Sequence, residues 1–365
     1  MKKISVSLVR LLVGVVFIIS GFVKLVDPIG FSFKLEEYFE PHVLDMPFFI
    51  PYAYPIAIFV VAFELILGVL LLLGYLRNFT LLSLLGLTIF FGFLTFYSAY
   101  YNKVTDCGCF GDALKFTPWG SFTKDMVLLV LAAALWYARG YISPLFSPQK
   151  CLTILVITVV ACMGLVYYTH NHLPIIDFRP YKVGVDINKA KEIPANAPKA
   201  VYDYHWKFKV GDKEQIITTQ GAYPEVEGGT YISVKTELVS KGYEPPVHDF
   251  VIMKDGKDVT NQILAEPKLL LVTSYDLGKA NLEGFRSIKE LTDKALKQGY
   301  KVIGLTPSPE KAQELLGQYG LSFDFYAMDV TPLKTMVRAN PAVICLERGT
   351  IKQKVNYNDT QKIDL

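Results

Sequence analysis

The sequence predicts an α-helical membrane bundle followed by an α/β domain that faces water, and three observations carry this. Of the 365 residues, 20 of the first 176 are Asp, Glu, Lys or Arg against 51 of the remaining 189, about 11% against about 27%, where soluble domains hold near 25%. Five stretches of the first part reach or approach the roughly 20 apolar residues that a membrane span needs. From Lys268 onward, strand-like and helix-like runs alternate. The first two observations exclude a wholly soluble enzyme. Aromatic and β-branched residues persist to the end of the chain, which excludes a disordered tail. The net charge of +3 is spread over both parts without a basic run, so nucleic acid is not a partner.

The five spans are Ser5 to Val26, Ala53 to Leu76, Phe79 to Tyr101, Met126 to Ile142, which is the shortest, and Leu152 to Thr169. Lys2 and Lys3 before an apolar run give the first the outline of a signal peptide. It lacks a small-residue cleavage site and more spans follow, so it reads as a retained helix. Five spans put Lys2, Lys3, Arg10, Arg77, Arg139 and Lys150 on one side. The other side holds Lys24, Lys34, Lys103, Lys115 and Lys124 among acids such as Glu36, Glu37, Glu40 and Asp45. The Lys/Arg bias points to a multi-pass protein of the cytoplasmic (inner) membrane, with its amino terminus inside and everything after His170 extracytoplasmic. Without the fourth span the soluble part would face the cytoplasm. Glu64 stands near the middle of the second span, where a carboxylate must neutralise or find a partner within the bundle. It is either a site residue or a packing hydrogen bond. Arg10, a turn or two from the surface, is expected to snorkel.

Five cysteines are present. Cys151 and Cys162 share the fifth span, eleven residues and so about 16 Å apart, too far for a disulfide that needs Cα atoms within about 7 Å. Cys345, in AVICLE, reads as a buried strand residue. Cys107 and Cys109, in TDCGCFGD after the third span, remain as the redox couple. Gly108 supplies the torsional freedom that so short a ring requires, and strain in such a ring favours a labile disulfide. A structural loop clip is the competing reading. A metal site is a third, but it would need further ligands where His42 is the only outer imidazole before His170, so no metal is expected.

Residues RLLVGVVFIISGFVKLVDPIGF, the Glu64, Gly68, Gly74 pattern and CGCFGD together resemble the DoxX-like superfamily in its MauE-like, redox-associated branch, over residues 1–145. The resemblance implies a four-helix DoxX/MauE-like membrane domain (1–145), followed by a fifth transmembrane helix (146–170). It implies thiol–disulfide chemistry outside the membrane, with Cys107 and Cys109 catalytic and Gly108, Phe110, Gly111, Asp112 and Glu64 supporting. Quinone-linked disulfide generators carry two cysteine pairs. This chain has one.

Residues 171–200 are rich in Pro and polar side chains and read as an extended linker. Residues 201–243 form a β-hairpin extension, with two alternating runs flanking Val210 to Lys213, and a second hairpin turns at Asp255-Gly256. Then come a strand (Lys268 to Ser274), a helix (Leu282 to Gln298), a strand (Lys301 to Thr306), a helix (Pro309 to Tyr319), a strand (Phe323 to Ala327), a helix (Leu333 to Arg338) and two closing strands. That order, with PPVHDFVIMKDGKDVT ahead of it, resembles a thioredoxin-like domain (244–365) of the peroxiredoxin/TlpA-like type. Asn340-Pro341 stands where that family has its cis-proline. After LLLVTS the family places its cysteines, and here Ser274 and Tyr275 lead into a cysteine-free YDLGKANLEGF, so the domain has no thiol chemistry of its own. The resemblance implies that Asn340 and Pro341 border a site for an extended partner chain, or that the domain is a scaffold. His170, His172, His205 and His248 share no metal-ligand spacing, and Ser274 has no visible base.

The leading function is a membrane thiol–disulfide oxidoreductase or disulfide-relay component, with the thioredoxin-like domain docking an extracytoplasmic thiol or disulfide partner. The rival is a non-enzymatic accessory subunit of an envelope membrane complex in which Cys-Gly-Cys is a structural clip. A third, implied by DoxX-like relatives, is a quinone-coupled sulfur-compound oxidase subunit, the one reading that brings in a cofactor, a quinone. Membrane lipid is a partner in all three.

Overall fold

The structure, a computed structural model, describes residues 2–104, 111, 113–114 and 116–365. The amino-terminal part contains α1 (Lys2–Val26), α2 (Pro28–Phe39), α3 (Ala53–Leu73), α4 (Arg77–Tyr101), α5 (Pro118–Tyr137) and α6 (Pro148–Asn171). Five helices among the described residues are long and apolar enough to cross a membrane, and they are those expected. The fourth differs in register: α5 begins at Pro118 rather than near Met126. Pro at the first helical position and Thr117, whose hydroxyl accepts from the Gly120 N–H at 3.1 Å, set that start. Its end comes at Tyr137, where Arg139–Tyr141 tightens into a 3-10 turn.

Helix α2 has no counterpart in the hydropathy reading. Its charged residues look like a loop, but Asp27 caps it by accepting from the Gly30 N–H at 2.9 Å and Pro28 opens it. Phe31, Leu35 and Tyr38 are buried, so a buried apolar face rather than overall hydrophobicity makes it a helix.

Helices α1 and α3 cross with their backbones in contact. A side chain at Gly21 would place its Cβ 2.7 Å from the Leu65 nitrogen, and one at Gly68 would lie 2.9 Å from the Gly14 carbonyl oxygen. Small residues at such crossings are how helices approach closely in lipid. Arg10 does not snorkel. It is buried, its Nε donates to the Leu71 carbonyl at 2.8 Å, and its Nη atoms donate to the carbonyls of Leu72 and, at 3.1 Å, Ser143. A fixed guanidinium thereby satisfies carbonyls that the end of α3 leaves open. It ties the α3–α4 turn to the α5–α6 loop at one end of the bundle. Cys151, Cys162 and Cys345 are free and buried, as expected.

The remainder contains α7 (Ile187–Ala190), β1 (Val201–Val210), β2 (Lys213–Thr219), β3 (Gly229–Ser240), β4 (Met253–Lys254), β5 (Lys257–Asp258), α8 (Thr260–Leu264), β6 (Leu269–Thr273), α9 (Gly284–Lys297), β7 (Lys301–Thr306), α10 (Ala312–Tyr319), β8 (Phe325–Ala327), α11 (Val330–Met336), β9 (Ala342–Glu347) and β10 (Thr350–Asn356). The hairpin β1–β2 turns where expected, and β3 adds a third strand that a two-strand reading of 201–243 lacks, in the order β2-β1-β3. The larger sheet runs β10-β9-β6-β7-β8-β4-β5, parallel through β6, β7 and β8 and antiparallel elsewhere. Strand β6 is buried on both faces, which is why LLLVT is uniformly apolar. Leu269 and Leu271 pack with Ile303 and Ile344 on one side, Leu270 and Val272 with Phe285 and Val343 on the other.

Residues 171–200 contribute Tyr181 and Ile187 to this core, and the Ile187 N–H donates to the Gly349 carbonyl at 2.9 Å. The chain leaving α6 is thus laid along the α/β domain. His172 Nδ1 lies 2.8 Å from Asp359 Oδ2, and Asn358 Nδ2 donates to the Asn171 carbonyl at 2.9 Å. Helix α2 makes a second attachment. Arg338 Nε pairs with Asp27 Oδ2 at 2.7 Å, Lys334 Nζ with Glu36 Oε2 at 3.4 Å, and the Phe33 ring meets Tyr275 edge-on at 5.5 Å.

Candidate functional site at the junction of bundle and domain

Cys107, Gly108, Cys109, Phe110 and Asp112 lie outside the described residues. Gly111, the remaining residue of CGCFGD, is described, and it lies beside Val23 near the end of α1. It forms part of the wall of a cavity of roughly 50 Å³ that also takes in Lys24, Asp27, Lys34, Arg179 and Arg338. The end of α1, the start of α2, one flank of the cysteine loop and the α/β domain therefore share one space.

On the bundle side, Glu64 finds the partner that its position requires. Lys24 Nζ lies 2.5 Å from Glu64 Oε2, with the two side chains 2% and 5% exposed. The Lys24 ammonium also sits 4.5 Å from the centre of the Phe91 ring and 5.5 Å from that of Phe31, so aromatic faces replace part of its lost hydration. In the sequence Lys24 stands among the loop cations, because it occupies the last turn of the first span. The crossing at Gly21 and Gly68 is what carries it against α3. Beyond Lys24 a smaller cavity of about 20 Å³ is lined by Ser20, Glu64, Thr88 and Asp125. Asp125 accepts from Thr95 Oγ1 at 3.0 Å and pairs with Lys124 at 2.8 Å. Lys24 faces both cavities, so polar groups continue from the junction into the bundle. Asp125 went unrecognised because the expected fourth span began one residue after it.

On the domain side, Asp177 receives two cations. Arg179 Nε donates to Asp177 Oδ1 at 2.6 Å and Lys354 Nζ to Asp177 Oδ2 at 2.5 Å. Burial works to raise the Asp177 carboxyl, but the charges and hydrogen bonds of Arg179 and Lys354 outweigh it and hold the group at about 2. Burial first, and then the charge of Arg179, pull Lys354 down from 10.5 to about 7. Between those two values the unfolded chain holds a proton that the folded chain has released. Stability should therefore rise with pH from about 7 toward 10.5. Denaturant titrations of the full-length protein across that range should show a shallower slope for Lys354→Met than for the unaltered chain; equal slopes would remove Lys354 as the cause.

Asn340-Pro341 is a cis peptide bond, and both residues are buried. Ser274 Oγ donates to Asn340 Oδ1 at 2.6 Å, Asn340 Nδ2 donates to the Asp276 carbonyl at 2.6 Å, and the Asn281 N–H donates to the Asn340 carbonyl at 2.9 Å. Ser274 and Tyr275, which stand where thiols are expected in a redox domain, are engaged in this lattice and against Phe33. Burial, and next the charge of Glu36, push the Tyr275 phenol up to about 12. The α/β face that includes Tyr275 is thus covered by helix α2. Among the described residues no group of three or more His, Cys, Asp or Glu is placed to hold a metal ion.

Residues 2–138 match the family model described as methylamine utilisation protein MauE. This is the segment whose motifs resemble the MauE-like branch, and the match supports a membrane accessory role. The α/β domain lies outside it. No curated protein matched the chain, and no solved structure did.

Proposed function

We propose that the protein is a membrane component of thiol–disulfide exchange in the cell envelope, with Cys107 and Cys109 as the exchanging pair and a thioredoxin-like, non-catalytic α/β domain beside them on the extracytoplasmic side. The observation that carries this reading is the shared wall of the junction cavity. Gly111, two residues after Cys109, lies with Arg179 and Arg338 of the α/β domain. A cationic setting favours a thiolate over a thiol. The three other cysteines are buried in α6 and β9 and offer no competing couple.

In the exchange, a partner thiolate attacks one sulfur of the Cys107–Cys109 disulfide and forms a mixed disulfide. The partner's second thiolate then displaces the cysteine. The partner loses two electrons and two protons and gains a disulfide, while Cys107 and Cys109 become thiols; the reverse reaction oxidises the pair. An extended partner chain would meet the α/β domain beside Asn340 and Pro341 once α2 is displaced from Tyr275.

The reduction potential of the couple in purified protein tests this reading. It should lie above the roughly −300 mV below which structural disulfides sit, and Cys107→Ser should lose exchange. A potential in the structural range, or full exchange by Cys107→Ser, would leave the loop-clip accessory subunit that the MauE match also suits. Placement is tested separately. In intact spheroplasts treated with an impermeant phosphine reductant, an impermeant thiol reagent should label Cys109 and a Lys257→Cys variant, and labelling of either only after lysis would move the domain inside.

A further inference from the structure

Arg179 is 2% exposed. Its Nε is spent on Asp177, but among the described residues Nη1 and Nη2 are buried without a hydrogen-bond partner. Unpaired buried donors on a charged group are costly, and a native site that retains them commonly holds an ion or water. The charges around it point to which. Arg179 and Lys354 share a single carboxylate, Asp177, so cations outnumber anions in that triad while Lys354 keeps its proton. Arg179 lies on the wall of the junction cavity with Lys34 and Arg338, and its roughly 50 Å³ exceeds the 10–15 Å³ or so that one water requires. Gly30 permits this crowding. A Cβ there would lie 2.7 Å from Arg338 Nη2 and 2.5 Å from Asp27 Oδ2.

We propose that this cavity binds a tetrahedral oxyanion, a phosphate-type group held by the two free guanidinium nitrogens of Arg179 with Lys34 at its mouth. A planar guanidinium with two parallel N–H groups suits such a ligand. The group can arrive on an anionic lipid headgroup or as a free anion. The lipid source fits the rim, where Ile176 and Phe178 are exposed apolar residues a few positions beyond the end of α6 and Val23 lies in the last turns of α1. The site does not depend on cysteine chemistry.

The test uses the full-length protein. In one arm, detergent-purified protein is titrated with inorganic phosphate by calorimetry. In the other, protein from nanodiscs of phosphatidylcholine with or without phosphatidylglycerol is released into native mass spectrometry and retained lipids are counted. Saturable phosphate binding without lipid retention identifies a free anion; one retained phosphatidylglycerol identifies a headgroup. Either supports the site if Arg179→Gln weakens it by roughly tenfold or more and Lys34→Gln weakens it less. Should Arg179→Gln fail to fold, Lys34→Gln decides, and unchanged binding there overturns the proposal. Absence of both phosphate and lipid binding, or wild-type binding by Arg179→Gln, also overturns it.

Discussion

Replacing Glu64 by leucine should destabilise the bundle by about 3–5 kcal/mol, because it strands the Lys24 ammonium in a site where it is 2% exposed. The aromatic faces of Phe31 and Phe91 offset only part of that cost, since they supply no hydrogen-bond acceptor of carboxylate strength. The double variant Lys24→Met with Glu64→Leu should recover most of the loss. Removing both ends of a buried pair takes away its desolvation cost along with its attraction. Thermal unfolding in a fixed detergent checks both. A single variant as stable as the unaltered protein would mean that Lys24 reaches water or another acceptor, and would detach Glu64 from the structural role given to it here. A double variant no better than the single one would show that packing, not charge, is what Glu64 contributes.

Asp177→Ala should cost a similar amount, about 3–5 kcal/mol, in the α/β domain, since it leaves the Arg179 and Lys354 cations facing each other without their shared carboxylate. Lys354 still donates to the carbonyls of Tyr181 and Met336, each at 2.8 Å, so part of its binding survives. Adding Lys354→Met to Asp177→Ala should return stability by removing the repulsion, and the double-mutant cycle gives the coupling directly. Denaturant unfolding of the full-length protein, followed by a probe confined to the α/β domain, is the measurement. Simple additivity of the two changes would show that Lys354 and Asp177 act independently despite their 2.5 Å contact.

The spans and strands were legible because each depends on residues close in sequence. Uniform hydrophobicity marked α1, α3, α4 and α6, and the apolar run from Lys268 to Ser274 marked a strand, which the structure buries on both faces. Gly211 and Gly256 marked hairpin turns that the structure contains. The misses share a cause. Helix α2 carries too many charges for a hydropathy window, and its identity comes from the face it buries and from the Asp27 cap. The start of α5 followed a Thr-Pro cap rather than the apolar run.

What the sequence by itself determined is therefore the membrane bundle, the order of α/β elements and the absence of cysteine between β6 and α9, all consequences of local composition and spacing. What only the tertiary structure decided is which charges meet. Lys24 reaches Glu64 across 40 positions because Gly21 and Gly68 let α1 and α3 touch. Lys354 reaches Asp177 across 177 positions because the chain leaving α6 is laid along β10. Burial then makes those pairings strong, since a charge removed from water is governed by the few groups that the fold brings within contact, and nothing in a linear sequence specifies that distance.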